Sequence, residues 1–147
     1  MSNKTILLIE DNPDDEELTL IAFEKNNISN EVKVVRDGQQ ALDYFFGPDA
    51  AKNPVPTVVL LDLKLPKIDG LEVLRRLRAD SRTRLQPVVI LTSSKEEQDI
   101  LKGYSLGANS YIRKPVDFNQ FIEAVRQLGL YWLVQNVPAP VKGEKSI

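Results

Sequence analysis

Asp62 directly follows the run Thr57-Val58-Val59-Leu60-Leu61, and Glu10 and Asp11 directly follow Thr5-Ile6-Leu7-Leu8-Ile9. A carboxylate after a continuous apolar run sits at the carboxyl end of a buried strand. In open α/β sheets, ligands and chemistry collect at that edge. Two such strands side by side crowd three carboxylates into one pocket, and that arrangement demands a cation or a shared proton. The chain has no Cys and no His. Disulfides, thiolate metal sites, Cys nucleophiles, Ser-His-Asp catalysis, His-ligated zinc and any role of this chain as a phosphohistidine carrier are therefore excluded. What remains is chemistry run on carboxylates, hydroxyls, Lys and an oxygen-seeking metal.

The elements that position these residues alternate along the chain. Thr5 to Ile9 reads as a first strand. Asp14 is a candidate N-cap for a first helix to about Asn26, with Leu18, Ile21 and Ala22 on one face. Glu31 to Arg36 reads as a second strand, and Gly38 to Phe46 as a second helix that stops at Gly47. Residues 48–56 carry prolines and polar side chains and read as a loop. Thr57 to Leu61 is a third strand. A third helix follows Gly70, with Leu71, Leu74, Leu77 and Arg78 at helical spacing. Pro87 to Leu91 is a fourth strand, and about Lys95 to Leu106 a fourth helix. Ser110 to Ile112 is a short fifth strand. Asp117 caps a last helix through Phe118, Phe121, Ile122, Val125 and Leu128, extending to Val134. Five strands alternating with five helices predict an α/β fold, with a doubly wound parallel sheet and right-handed crossovers.

Composition sets further bounds. The 147 residues suit one domain, expected over 4–134 with a tail over 135–147. The chain is 42% hydrophobic and 27% charged, with a formal net charge of −2 and no block of Lys or Arg. A nucleic-acid partner is not expected from such a charge pattern. No apolar stretch reaches the ~18 residues of a membrane span, and Met1-Ser2-Asn3-Lys4 leads into a strand without a signal-peptide core. A cytoplasmic location is the expectation. Neither G-x-G-x-x-G nor G-x-x-x-x-G-K follows any strand, which weakens dinucleotide and P-loop readings.

Glu10-Asp11 after the first strand, Asp62-Leu63-Lys64-Leu65-Pro66 followed by Asp69-Gly70, Thr92 after the fourth strand and Lys114-Pro115 after the fifth together resemble the response-regulator receiver domain. The resemblance covers about residues 4 to 130. It implies a five-stranded, CheY-like (flavodoxin-like) sheet in the order 2-1-3-4-5, with helices on both faces. It also implies that Asp62 accepts a phosphoryl group from a sensor kinase phosphohistidine. Magnesium would be held by Asp11, Asp62 and the backbone carbonyl of Lys64, with Glu10 acting through a metal-bound water; manganese or calcium could substitute. A carboxylate oxygen is a competent nucleophile toward phosphorus, and the transferring group needs cations and donors around it. Lys114 supplies a point charge. By the same resemblance Thr92 moves to bond the phosphoryl group and Tyr111, three residues before Lys114, rotates inward as the switch aromatic. The bond between Lys114 and Pro115 is expected to be cis. Gly70 is expected to supply a φ > 0 turn after Leu65 to Asp69. Lys64 and Ser94 lie where receivers screen the phosphoryl group from water, and a Lys at 64 implies slow loss of it.

Phe118, Phe121, Ile122, Val125, Leu128 and Trp132 form one inward stripe on the last helix, while Leu130, Tyr131, Leu133 and Val134 make its end apolar all round. Either the extension folds over its own core or it meets a second copy. The preferred expectation is a homodimer through the fourth helix, fifth strand and fifth helix. The long loop after the second helix, the Asn12-Pro13-Asp14-Asp15 start of the first helix and the C-terminal extension resemble the small stand-alone regulators of bacterial phytochrome kinases. Two other readings compete with a phosphoacceptor module. A magnesium-dependent phosphohydrolase with an aspartyl nucleophile needs a second acid two residues after that nucleophile, where this chain has Lys64. A receiver acting only as a scaffold would not keep Glu10, Asp11, Asp62, Thr92 and Lys114 together.

Overall fold

The computed structural model describes residues 4–92, 97–114, 118–137 and 139. Five parallel strands, β1 (Thr5–Ile9), β2 (Glu31–Val35), β3 (Val58–Leu61), β4 (Val88–Thr92) and β5 (Ser110–Arg113), form one sheet in the order β2-β1-β3-β4-β5. The helices are α1 (Pro13–Lys25), α2 (Gly38–Phe46), α3 (Gly70–Ala79), α4 (Glu97–Ser105) and α5 (Phe118–Gly129). A π-helical turn, Leu130–Gln135, continues α5. The expected fold class and strand order are those observed.

Side chains alternate across a strand, so each central strand feeds two cores. Leu7, Ile9, Val59, Leu61, Val88 and Ile90 face α2 and α3, packing on Val73, Leu74 and Leu77. Ile6, Leu8, Val58, Leu60, Val89 and Leu91 face the other way, onto Ala22 and Phe23 of α1 and Phe121, Val125 and Leu128 of α5. This double burial is why β1, β3 and β4 read as unbroken apolar runs. The edge strand β2 is half-exposed, and its charged Glu31 and Lys33 face water.

The helix ends correct two expectations. Asn12, not Asp14, caps α1: its side chain accepts from the N–H groups of Asp14 at 2.9 Å and Asp15 at 3.1 Å. Pro13 then occupies the first turn, where a missing N–H costs nothing. Gly70 does not supply a positive-φ turn. It opens α3 behind the cap Asp69, and Lys67 is the residue of that loop with positive φ, at 68°. Gly70 is required for a different reason: a Cβ there would lie 2.3 Å from the carbonyl oxygen of Asp62 and 2.7 Å from Cα of Leu63.

The 48–56 loop is tied down by polar contacts. The Tyr44 hydroxyl donates to the Pro54 carbonyl at 2.6 Å, and Asn53 donates to the Tyr44 carbonyl at 3.0 Å. The C-terminal extension divides its apolar residues. Leu133 is buried and Trp132 half-buried against the α1/α5 core, whereas Leu130, Tyr131 and Val134 stay exposed. The Lys4 ammonium donates to the carbonyl of Leu133, which pins this turn to the start of β1. The cis bond expected at Pro115, the cap at Asp117 and the position of Ser94 lie outside the described residues.

Candidate functional site

Strand register brings the site together. β1 and β3 pair Ile9 with Leu61, so Glu10 and Asp62 leave the sheet side by side. Asp62 N–H donates to the Ile9 carbonyl at 3.1 Å, and Glu10 N–H to the Val35 carbonyl at 3.0 Å. Thr92 ends β4 opposite Arg113, and Lys114 N–H donates to the Thr92 carbonyl at 2.8 Å. Each residue singled out by its place after a strand therefore arrives at one carboxyl edge.

The Asp62 carboxylate is the hub. Its Oδ1 accepts from the Thr92 hydroxyl at 2.8 Å and from the Lys64 N–H at 3.2 Å. Its Oδ2 lies 3.4 Å from the Lys114 ammonium. The same ammonium contacts Glu10 and, at 3.0 Å, Asp15. Glu10 and Asp62 are buried, at 1% and 7% exposure, and Asp11 is exposed. Next to them, Asp11, Lys64, Asp69 and Asp99 line an open cavity of about 370 Å³.

Burial and charge set the proton positions. Burial, reinforced by the hydrogen bond to Asp62, pushes the Glu10 carboxyl up to about 8, although Lys114 pulls it down. Burial also raises Asp62, but the Glu10 proton, Lys114, the Thr92 hydroxyl and the Lys64 N–H outweigh it and hold Asp62 below the usual carboxylate range. Lys114 is disfavoured as a cation by burial, yet Glu10, Asp62 and Asp15 raise its pKa above the ordinary value. Glu10 thus holds a proton that it shares toward an ionised Asp62. This is the shared proton that three crowded acids require in the absence of a metal.

The donor set also fits a metal. Glu10, Asp11 and Asp62 each offer a carboxylate oxygen, and these atoms lie within 4.8 Å of one another. An all-oxygen set with one exposed member, beside an open cavity, suits a hard divalent cation that keeps some of its waters. A buried carboxyl raised to about 8 is the group such a cation would relieve.

Tyr111 pairs with Ile90 across β4 and β5 and is half-buried against the α3 side of the core. Its ring lies 6.5 Å from that of Tyr104, which α4 leaves half exposed. Gly103 makes room for this packing, since a Cβ there would sit 2.6 Å from Ile90 Cδ1. The second acid of a phosphohydrolase is missing, because position 64 holds a Lys with an exposed side chain. Asp15 is the site residue that sequence reasoning missed. Its place in the first turn explains an acid there through the helix dipole alone, and nothing local points to Lys114.

A doubly wound parallel sheet with acids, a hydroxyl and an ammonium converging at its carboxyl edge has the architecture of a receiver type of signalling domain. The chain belongs to the response regulator receiver domain family, whose model matches residues 6–126. It is a receiver of two-component systems. It is 34% identical to the response regulator Rcp1 of Synechocystis sp. over 88% of this chain and 89% of that protein. The structure of the Mn2+-bound form of Rcp1 superposes with a TM-score of 0.85 at 32% identity, covering 93% of this chain and 99% of that one. The phosphorylated cyanobacterial phytochrome response regulator RcpA gives 0.88 at 36% identity, over 95% and 100%. The bacteriophytochrome response regulator RtBRR gives 0.74 at 54% identity, over 95% and 86%. Among the described residues no helix is long and apolar enough to cross a membrane.

Proposed function

We propose that Asp62 accepts a phosphoryl group from a phosphohistidine of a sensor histidine kinase, and that Thr92 and Tyr111 report its arrival. The observation that carries this reading is the single carboxylate of Asp62, contacted at once by Thr92, Lys64 N–H and Lys114 beside the Glu10 and Asp11 acids. A carboxylate oxygen of Asp62 forms a bond to phosphorus as the phosphorus–nitrogen bond breaks, and the electron pair leaves with the imidazole. Asp11, Asp62 and the Lys64 carbonyl would hold magnesium directly, with Glu10 holding one of its waters. When bound, that ion neutralises charge on the transferring group. Lys114 offers the transferring oxygens a second cation. Low pKa keeps Asp62 ionised and available.

The bound group then competes for the Thr92 hydroxyl, which in this state is committed to Asp62 Oδ1. Movement of Thr92 vacates space at the end of β4, and Tyr111, one strand over and half-buried, is placed to respond. The module catalyses only its own phosphorylation and dephosphorylation.

Likeness to RcpA and RtBRR supports a bacteriophytochrome kinase as the phosphodonor, and a cytoplasmic location is in keeping with that pairing. The exposed Leu101 and Tyr104 of α4 support a homodimer through α4, β5 and α5. A groove of about 650 Å³ between β5 and α5, walled by Ile112, Leu128, Tyr131 and Trp132, supports it too. The absence of a basic block supports a module that acts without nucleic acid. Intact-mass measurement after incubation with magnesium and acetyl phosphate tests the acceptor. One added phosphoryl group, lost in Asp62→Asn, agrees with it, and unchanged labelling of the variant sinks it. Sedimentation with and without beryllofluoride tests the dimer, which a concentration-independent monomer in both states refutes.

A further inference from the structure

We infer that Asp15 is a positioning residue for the phosphoacceptor site, holding the Lys114 ammonium at the rim where a phosphoryl oxygen would meet it. This rests on the reading of Asp62 as acceptor. An ammonium has three N–H donors, and those of Lys114 face three carboxyl groups: Glu10, Asp15 at 3.0 Å and Asp62 at 3.4 Å. Glu10 and Asp62 are buried and belong to the candidate metal cluster. Asp15 belongs to neither group. It comes from α1, its side chain is 36% exposed, and it lies nearer to the ammonium than Asp62 does.

Asp15 is itself held on both sides of its backbone. Its N–H is capped by the Asn12 side chain at 3.1 Å, and its carbonyl accepts from the buried Thr19 hydroxyl at 2.8 Å. The neighbouring Glu16 meets Arg36 beyond β2 in a two-point contact of 3.1 and 2.9 Å, which fixes the rotation of this helical turn. Two acids in succession are thus aimed at two different cations. Without Asp15, Lys114 would be drawn inward onto the buried pair of acids and would screen Asp62 rather than greet an incoming group. Displacement of a charge by about 1 Å at a reacting centre is enough to slow it severely.

The test follows the initial rate of mass gain with magnesium and acetyl phosphate in the full chain. Asp15→Ala slows it about tenfold. Asp15→Asn, which keeps the shape and loses the charge, slows it in the same direction and carries the test if the alanine variant does not fold. Asp14→Ala removes an equal charge from the same helical turn, away from Lys114, and leaves the rate within about twofold. In a Lys114→Ala background, Asp15→Ala adds no further loss, because Asp15 acts only through that ammonium. A wild-type rate in Asp15→Ala, an equal loss in Asp14→Ala, or a multiplicative loss in the double variant overturns the inference alone. A wild-type chain that takes up no phosphoryl group overturns the acceptor reading and this inference with it.

Discussion

Thr92 Oγ1 donates to Asp62 Oδ1 at 2.8 Å, with both side chains buried, so the proposed reporter is bonded to the proposed acceptor beforehand. A hydrogen bond to a charged group is worth about 1.5–3 kcal/mol. Thr92→Val keeps the shape and removes the donor, so urea unfolding in magnesium-free buffer should show a loss of that order. Stability equal to wild type would mean that the bond contributes nothing to the resting state.

Glu10 links the site to pH. Its carboxyl is raised from 4.5 to about 8, so below 4.5 it carries a proton whether folded or unfolded. Between those values the folded chain keeps a proton that the unfolded chain releases. Stability of the metal-free protein from this group is therefore full at low pH and is lost as pH rises toward 8. Glu10→Gln mimics the protonated form and should show a shallower decline in thermal stability over this range, with EDTA present. The expected order is Gln variant above wild type at the alkaline end and convergence at the acid end. A steeper decline in the variant would contradict the shared-proton picture.

Gly70→Ala addresses how the acceptor loop is held. The added methyl meets the Asp62 carbonyl and Leu63 Cα at distances no atoms tolerate. Overpacking of this kind costs about 1–3 kcal/mol. Chemical denaturation should show that loss, and magnesium titration should show weaker binding, since the strained backbone carries Asp62 to Lys64. Unchanged values in both would remove Gly70 from the account.

Much of this was legible in the chain. The runs Thr57 to Leu61 and Pro87 to Leu91 announced buried strands because both faces of β3 and β4 are covered, and each run is followed by a chemically distinctive residue, Asp62 or Thr92. The residues after those strands converge because parallel strands all point the same way. What escaped was non-local or depended on close approach. Asp15 meets Lys114 across 99 positions of sequence, and no local pattern encodes that. Asn12 and Asp14 are equally good caps by type, and only the start of the helical turn at Pro13 separates them. Gly70 was recognisable as necessary, but its reason lies in the carbonyl of Asp62 rather than in its own φ.

Asp37 offers a prediction outside the site. It caps α2, accepting from Gln40 N–H at 2.7 Å, and lies 3.5 Å from the Lys67 ammonium. These contacts, the Gln40 N–H first, hold its carboxyl below the ordinary 3.8. Its stabilisation is present above that value and is lost as pH falls through the folded pKa. Asp37→Ala should cost about 1 kcal/mol near neutrality. The gap to wild type should close on acidification below 3.8, as followed by thermal melts. A gap that widens there would contradict the assignment.

The central claim is that Asp62, among three adjacent acids, is the one that carries the group. An acyl phosphate is reduced by borohydride to the corresponding alcohol, which turns a phosphorylated aspartate into homoserine. The wild-type protein is labelled with magnesium and acetyl phosphate, reduced, digested and sequenced by mass spectrometry. Homoserine at position 62, with Glu10 and Asp11 unaltered, is the predicted result. Reduction at position 11, or none at any position in protein that has gained phosphoryl mass, would contradict it.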